Sequence, residues 1–278
     1  MIGLGLYNEL QASHKTPQGW YFTDEEGTEV LLPNAEITPD LEEGVTKSLF
    51  CYLDHEERPV LSLKKPKVIR DHFGYLKIAD RSKSGYFLDW GLQKQLFLPY
   101  RESSEDLEVG SSVFIYCYLD ELSGRLVASK RWKRFIEPIT ESITPGTSFQ
   151  AIVASRSDLG FECILGGKWL GLVYHDRDSA HLKRGDELTV YVIRQREDLK
   201  VDLSLHPVGL KALEEGAMSL LKLLEAEPKG FLPIHDKSSP DEIYKLTQMS
   251  KKLFKKAVGG LLKSKKISIE ARGIRLLQ

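Results

Sequence analysis

Seven histidines and three cysteines are the side chains best equipped for bond-making chemistry here, and their spacing supports none. His14, His55, His72, His175, His181, His206 and His235 show neither HExxH nor HxH spacing, so no pair is set to hold a metal from one helix or strand. His235-Asp236 resembles the HD pair of metal phosphohydrolases, but one such dipeptide arises by chance. There is no phosphate-binding glycine loop and no GxSxG. Cys51, Cys117 and Cys163 are odd in number, far apart and free of CxxC spacing. That argues against a zinc site or a disulfide framework and fits the cytoplasm. The expectation is a protein that is not an enzyme and has no cofactor or metal.

Binding chemistry is better provided for. Single-stranded nucleic acid asks for flat aromatic faces and for cations along its backbone, and each stacked base contributes about 1–3 kcal/mol. Lys130-Arg131-Trp132-Lys133-Arg134 interleaves four cations with an indole. The string suits a nucleic-acid contact; it suits equally a linker with Trp132 buried and the cations solvated. Tyr174, Arg125 and Lys200 are further candidates, the last within a cluster that adds Trp169, His175, Arg194 and Arg196. The strongest electrostatic signal is C-terminal. Lys251 with Lys255, and Lys252 with Lys256, are i, i+4 pairs that repel one another without a counterion, and Lys263, Lys265 and Lys266 follow. Residues 250–278 hold nine Lys/Arg against one acidic residue. A solvated lysine face is the plainer alternative; the size of the excess favours phosphate contact. Lysines position a backbone and do not read bases. No Arg or Asn lies among them to grip a base edge in two places, which weighs against a sequence-specific DNA repressor.

The elements that carry these residues come from an internal repeat. Gly19-Trp20-Tyr21-Phe22, Gly85-Tyr86-Phe87-Leu88 and Gly160-Phe161-Glu162-Cys163 each open a segment, and a second glycine (Gly44, Gly110, Gly185) follows 25 residues later in all three. Leu31-Leu32-Pro33, Phe97-Leu98-Pro99 and Leu172-Val173-Tyr174 each end 14 residues after the first glycine. An alternating apolar run comes next, then a basic residue (Arg58, Arg125, Lys200), then a serine four residues on (Ser62, Ser129, Ser204). β-branched and aromatic residues between Gly, Asp and Ser turns read as short strands, and five of them suit a small closed barrel. The first glycine is expected to permit a sharp bend. Alternation places Trp20, Phe22, Tyr86, Leu88, Phe161 and Cys163 in cores, and turns Tyr21 and Phe87 outward, toward a ligand or a neighbouring domain.

After Pro207 the period changes. Leu210, Leu213, Ala217, Leu220, Leu221 and Leu224 fall at three- and four-residue steps, a helix with one apolar face. Phe231–Ile234 reads as a strand. Ser239-Pro240 with Glu242 is a capping box opening a helix to about Thr247, and Ser250 caps another to about Lys263. Two short strands finish the chain. This is the order of a winged helix, whose second motif helix enters a groove.

The three repeats resemble the ribosomal protein S1 domain, an RNA-binding OB-fold module. Over nearly all 278 residues the chain resembles the bacterial conserved virulence factor B family, through Gly85-Tyr86-Phe87-Leu88-Asp89-Trp90-Gly91-Leu92-Gln93-Lys94 with Leu98-Pro99, His235-Asp236-Lys237-Ser238-Ser239-Pro240, and Met249-Ser250-Lys251-Lys252-Leu253-Phe254-Lys255-Lys256-Ala257. The resemblance implies RNA binding and a regulatory role, including virulence regulation, without catalysis. The S1 pattern implies a strand-two aromatic column (Tyr21, Phe87, but Glu162), a His or aromatic after strand three (Pro33 and Pro99 instead, and Tyr174), and a basic column (Arg58, Arg125, Lys200). No single barrel keeps the whole pattern. Gln95 stands where the family more often has Asp, and nothing physical explains it.

The sequence thus predicts a mainly β chain of three tandem S1-like OB barrels, residues 1–65, 66–138 and 139–206, and an α+β winged-helix domain, 207–278. Net charge runs −7, +2, −2 and +6 through these segments, so a polyanion is drawn to the C-terminal end. The expected partner is RNA, single-stranded, with DNA binding through the winged helix and a protein-docking scaffold as rivals. No apolar run approaches the roughly 18 residues needed to span a bilayer, and Met1-Ile2-Gly3-Leu4-Gly5 has no basic lead of a signal peptide.

Overall fold

In the computed structural model each glycine-laddered segment is a closed five-stranded barrel. The structure describes residues 1–278 apart from Asp40, Ser104, Arg177 and Gln278, and apart from the side chains of Leu210 and Lys211; the helical position predicted for Leu210 lies outside the described side chains. The first barrel comprises β1 (Tyr7–Thr16), β2 (Gly19–Thr23), β3 (Glu29–Pro33), β4 (Thr46–Leu53) and β5 (Pro59–Ser62). The second comprises β6 (His72–Arg81), β7 (Gly85–Asp89), β8 (Leu96–Pro99), β9 (Ser112–Asp120) and β10 (Arg125–Ser129). The third comprises β11 (Ser148–Arg156), β12 (Gly160–Leu165), β13 (Trp169–Tyr174), β14 (Glu187–Gln195) and β15 (Val201–Ser204). All three close in one order, first–second–third–fifth–fourth, with a parallel pairing only between the third and fifth strands. Closure removes the unpaired edges that such short strands would otherwise present to other chains.

The glycine ladder has a more specific cause than a bend. A Cβ on Gly19, Gly85 or Gly160 would sit 2.1, 2.3 or 2.0 Å from the carbonyl oxygen of Leu32, Leu98 or Val173 on the paired strand, so the backbones approach too closely for any side chain. The second glycines hold φ of +85, +93 and +93°. In that left-handed conformation the N–H of Gly44, Gly110 and Gly185 donates to the carbonyl of Ala12, Ile78 and Val153, at 2.8 Å each time. The accepting residue precedes a register shift at the same place in every first strand (Ala12/His14, Ile78/Asp80, Val153/Ser155). Each barrel is thus bent at a bulge, and the bulge is tied off by the second glycine. The serine that ends each repeat stops strand five: Ser62 and Ser129 donate to Glu36 and Glu102 at 2.6 Å, and all three serine hydroxyls accept a backbone N–H two residues on.

The barrels are packed on one another. Phe50, Tyr52 and Val60 of the first join the core of the second, where Trp90 lies edge-on to Phe50 at 5.8 Å. Lys94 Nζ donates to the Asp54 carbonyl at 2.6 Å, and Arg70 N donates to the Gly5 carbonyl at 2.9 Å. Between the second and third barrels Trp132 packs with Phe114, Ala154 and Ile164.

The C-terminal part has the winged-helix order: α1 (Gly209–Ala226), β16 (Phe231–Leu232), α2 (Pro240–Thr247), α3 (Lys251–Lys263), β17 (Ile267–Glu270) and β18 (Gly273–Leu276). Ser239 and Glu242 form both bonds of the capping box. Its core sets Leu220 and Leu224 of α1 against Phe254, Ala257, Val258 and Leu261 of α3. Burying that side of α3 turns the lysine side to solvent. No helix among the described residues is long and apolar enough to cross a membrane.

Candidate nucleic-acid interface

The three barrels present different outward faces at the same position. On the second, Phe87 of β7 lies directly opposite Phe97 of β8; their rings are half-buried, 5.4 Å apart and tilted 44°. On the first, Tyr21 faces Leu31 and is stacked on His14 (5.1 Å, 9°). On the third, Glu162 faces Leu172 and is engaged from within: Lys133 Nζ lies 2.7 Å from it, and Ser155 Oγ also donates to it. Burial opposes ionisation of this carboxyl, but the Lys133 and Ser155 hydrogen bonds outweigh it and hold the pKa below the usual carboxylate range. Among the described residues, only the second barrel therefore sets two phenylalanine rings side by side at this position. Phe97 was missed by the sequence reading, although alternation with the core Leu98 would have turned it outward beside Phe87.

The linker string resolves toward its structural alternative. Trp132 is 7% exposed, edge-on to Phe114 at 5.4 Å, and cannot stack a base where it lies. Its selection as a contact residue is corrected accordingly: the indole fills the seam between two barrels because both leave an apolar face there. Lys133 is bound to Glu162 and Arg134 to Glu102 (2.8 Å), while Arg131 is exposed. Arg125 is paired with Glu57 of the first barrel, so it too serves a seam.

On the third barrel Tyr174, at the end of β13, is 37% exposed. Its hydroxyl donates to Asp202 at 3.2 Å and accepts from Arg196. Asp202 is 2% exposed and takes Arg194 Nε at 2.7 Å and Arg196 Nε at 2.8 Å. Two guanidiniums on one carboxylate leave net positive charge beside an aromatic ring. Lys200 is bound to the exposed Asp198 at 2.9 Å. Burial of Asp202 favours its neutral form, yet hydrogen bonds from Arg196 and Arg194 prevail and keep its pKa depressed. Because the folded value lies below the unfolded one, about 3.9, the stabilisation is complete well above pH 4 and is lost as pH falls through the folded pKa. Asp202→Asn is expected to lower stability at neutral pH and to flatten its decline below about pH 4, measured by urea unfolding across that range; an unchanged acid limb would show that this cluster does not contribute.

On the winged helix, Ser250 Oγ accepts from Leu253 N and starts α3 without an acidic residue in the first turn. Lys252, Lys255, Lys256, Lys263, Lys265 and Lys266 are exposed and Lys251 is partly so. None has a carboxylate within 4.0 Å among the described residues. Arg275, by contrast, is tied to Glu270 and to the Lys229 carbonyl. Lys251 and Lys252 stand at the positive end of the helix dipole, where a cation costs about 0.3–1 kcal/mol. Intramolecular packing gives no reason to place them there.

The cysteines take no part. All three are buried, and burial pushes the Cys51 thiol up to about 11 and those of Cys117 and Cys163 up to about 12. The described residues hold no cluster of three or more His, Cys, Asp or Glu able to take a metal ion.

Residues 4–64 and 73–130 match the S1 domain, and residues 218–276 match the CvfB-like winged helix domain. A protein named conserved virulence factor B from Staphylococcus epidermidis strain RP62A is 26% identical over 257 residues, covering 89% of this chain and 86% of its own. Over most of its length the chain is thus similar to proteins named conserved virulence factor B. Another relative, protein YitL of Bacillus subtilis strain 168, is 29% identical over 277 residues, covering 93% of this chain and 88% of its own. A solved multidomain protein with nucleic acid binding domains from Streptococcus pneumoniae TIGR4 is 26% identical, at TM-score 0.41, with 99% of this chain and 98% of that one covered. The third barrel lies outside the S1 match yet repeats the strand order of the first two. The two matched domain types, S1 and winged helix, are nucleic-acid-binding types and not typically enzymatic.

Proposed function

We propose that this chain is a non-catalytic regulatory protein that binds single-stranded RNA, with segments 1–65, 66–138, 139–206 and 207–278 as its four domains. The observation that carries the reading is the lysine face of α3, largely solvent-facing, with no carboxylate within 4.0 Å among the described residues, and with Lys251 and Lys252 set against the helix dipole. Lys251, Lys252, Lys255, Lys256, Lys263, Lys265 and Lys266 supply phosphate contacts. Phe87, with Phe97, supplies the stacking surface. Tyr174 with its arginines, Lys200 and Arg131 extend the positive surface. Arg125, Trp132 and Lys133 hold the barrels in place. RNA is favoured over duplex DNA because α3 carries no Arg, Asn or Gln for base-edge readout, whereas a half-buried, outward-facing aromatic pair serves only bases that are already unstacked. At one fixed salt concentration, unlabelled single-stranded RNA is expected to displace a labelled RNA oligonucleotide at lower concentration than duplex DNA does. The reverse order would transfer the function to DNA.

A further inference from the structure

Between the third barrel and the helical domain lies a cleft of about 850 Å³, a volume in the range of sites that enclose small ligands. Its lining divides by chemistry. Leu213 of α1 with Met249 and Leu253 at the start of α3 provide apolar surface, and Lys252 and Lys256 provide two ammonium groups. Of its two acids, Asp178 is engaged on both oxygens: Tyr244 OH donates to Oδ1 at 2.6 Å, and His206 Nε2 lies 3.0 Å from Oδ2. That junction ties barrel to helix α2 and so defines the width of the cleft. The other acid, Glu215, disfavours phosphate on its side and leaves the lysine side for it.

The two lysines continue beyond the cleft. Lys252, Lys256, Gly259/Gly260 and Lys263 follow one another at three- and four-residue steps, so they share one exposed stripe of α3. A Cβ on Gly259 or Gly260 would meet nothing within 4 Å. Neither glycine is needed for packing, and each costs the helix about 1 kcal/mol relative to alanine. What they leave is bare helix between ammonium groups, where another backbone can come close.

We propose that this cleft receives one nucleotide of the bound strand, base on the apolar lining and phosphate toward Lys252 and Lys256, and that the strand leaves along the Lys256–Gly260–Lys263 stripe. The proposal rests on the single-stranded RNA reading above and adds the path. Two variants test it, with binding followed by anisotropy of a labelled, unstructured RNA oligonucleotide. Ala212→Leu/Ser219→Leu fills the cleft from α1 with good helix formers that have no π-face. Affinity is expected to fall about tenfold, the loss of one bound base. Its dependence on log salt should not change, because the base alone is excluded and the phosphates still reach Lys252 and Lys256. Ser219 is exposed, so Ser219→Leu alone serves if the double variant fails to fold. Gly259→Ala/Gly260→Ala is expected to raise the melting temperature and yet weaken RNA binding, with a salt slope smaller by about 1 as phosphates are held off. A purely structural role for the glycines would raise both or leave affinity alone. Parent-like affinity in either folded variant overturns the path and leaves the RNA reading intact; failure of the parent to bind the oligonucleotide overturns both.

Discussion

Replacing Lys251, Lys252, Lys255 and Lys256 together by glutamate is expected to lower affinity for single-stranded RNA about a thousandfold at 0.1 M salt. Each phosphate neutralised on a single strand contributes about 0.7 to the slope of log affinity against log salt. Four lost contacts remove about 3 from that slope, which is about three decades of affinity between 1 M and 0.1 M salt. Reversal adds repulsion to the loss. The helix itself should survive. Lys251 and Lys252 oppose the dipole of α3, and glutamate in the first turn is favoured by about 0.3–1 kcal/mol. The buried side of the helix, Phe254, Ala257, Val258 and Leu261, is untouched. The Glu242 carboxyl is held below its usual range chiefly by its hydrogen bonds with Ser239 and only slightly by the Lys251 charge, and a triple variant that spares Lys251 keeps the capping box of α2 out of the comparison. The measurement is a salt titration of binding beside a thermal melt. A slope as steep as the parent's in a folded variant would mean that the phosphates lie elsewhere.

Barrel topology was legible because the constraints behind it are local and recur. A carbonyl 2 Å from where a Cβ would be admits only glycine, and a left-handed residue whose N–H must reach a bulge favours glycine again. Each mark therefore appears three times at one spacing. The α2 capping box was legible for the same reason, since Ser239, Pro240 and Glu242 act within one turn. The bulges themselves were hidden: Ser13, Ala79 and Ala154 are small residues that could stand anywhere in a strand, because the extra residue is defined by pairing and not by its side chain.

The candidate site was less legible, since it depends on which charges meet across seams. Arg125 finds Glu57 from another barrel, and Lys133 finds Glu162 about thirty residues on. Neither pairing has a sequence period. The same holds for Trp132, whose surroundings come from β9, β11 and β12 at once. The α3 lysines could be read directly because a helix fixes their common face, and the only question left was whether a carboxylate would fold over them. The seams also alter the expected energetics. Barrels joined by a shared core and by buried backbone hydrogen bonds do not behave as weak sites on flexible tethers. Their contribution comes from being held in place before the ligand arrives, which spares ordering entropy on binding.

That rigidity makes the second barrel's platform testable without disturbing its neighbours. Phe87→Leu/Phe97→Leu keeps apolar bulk on the outer face of β7 and β8 but removes both π-faces. With one to two stacked bases lost, at about 1–3 kcal/mol each, affinity for single-stranded RNA is expected to fall about 10- to 100-fold. The two rings are half-buried and leucine is of similar volume, so unfolding stability should change by less than about 1.5 kcal/mol. No cation is touched; hence the salt slope should stay parallel to the parent's, displaced downward. This pattern is the opposite of that expected for the lysine variant, where the slope itself changes. The equivalent change on the first barrel, Tyr21→Leu, should do less, because Tyr21 already stacks on His14 and the surrounding segment carries net charge −7. Equal losses from Tyr21→Leu and from the phenylalanine pair would show that the strand does not favour the second barrel. No loss from the pair would leave the barrels as a scaffold, with the helical domain alone holding RNA.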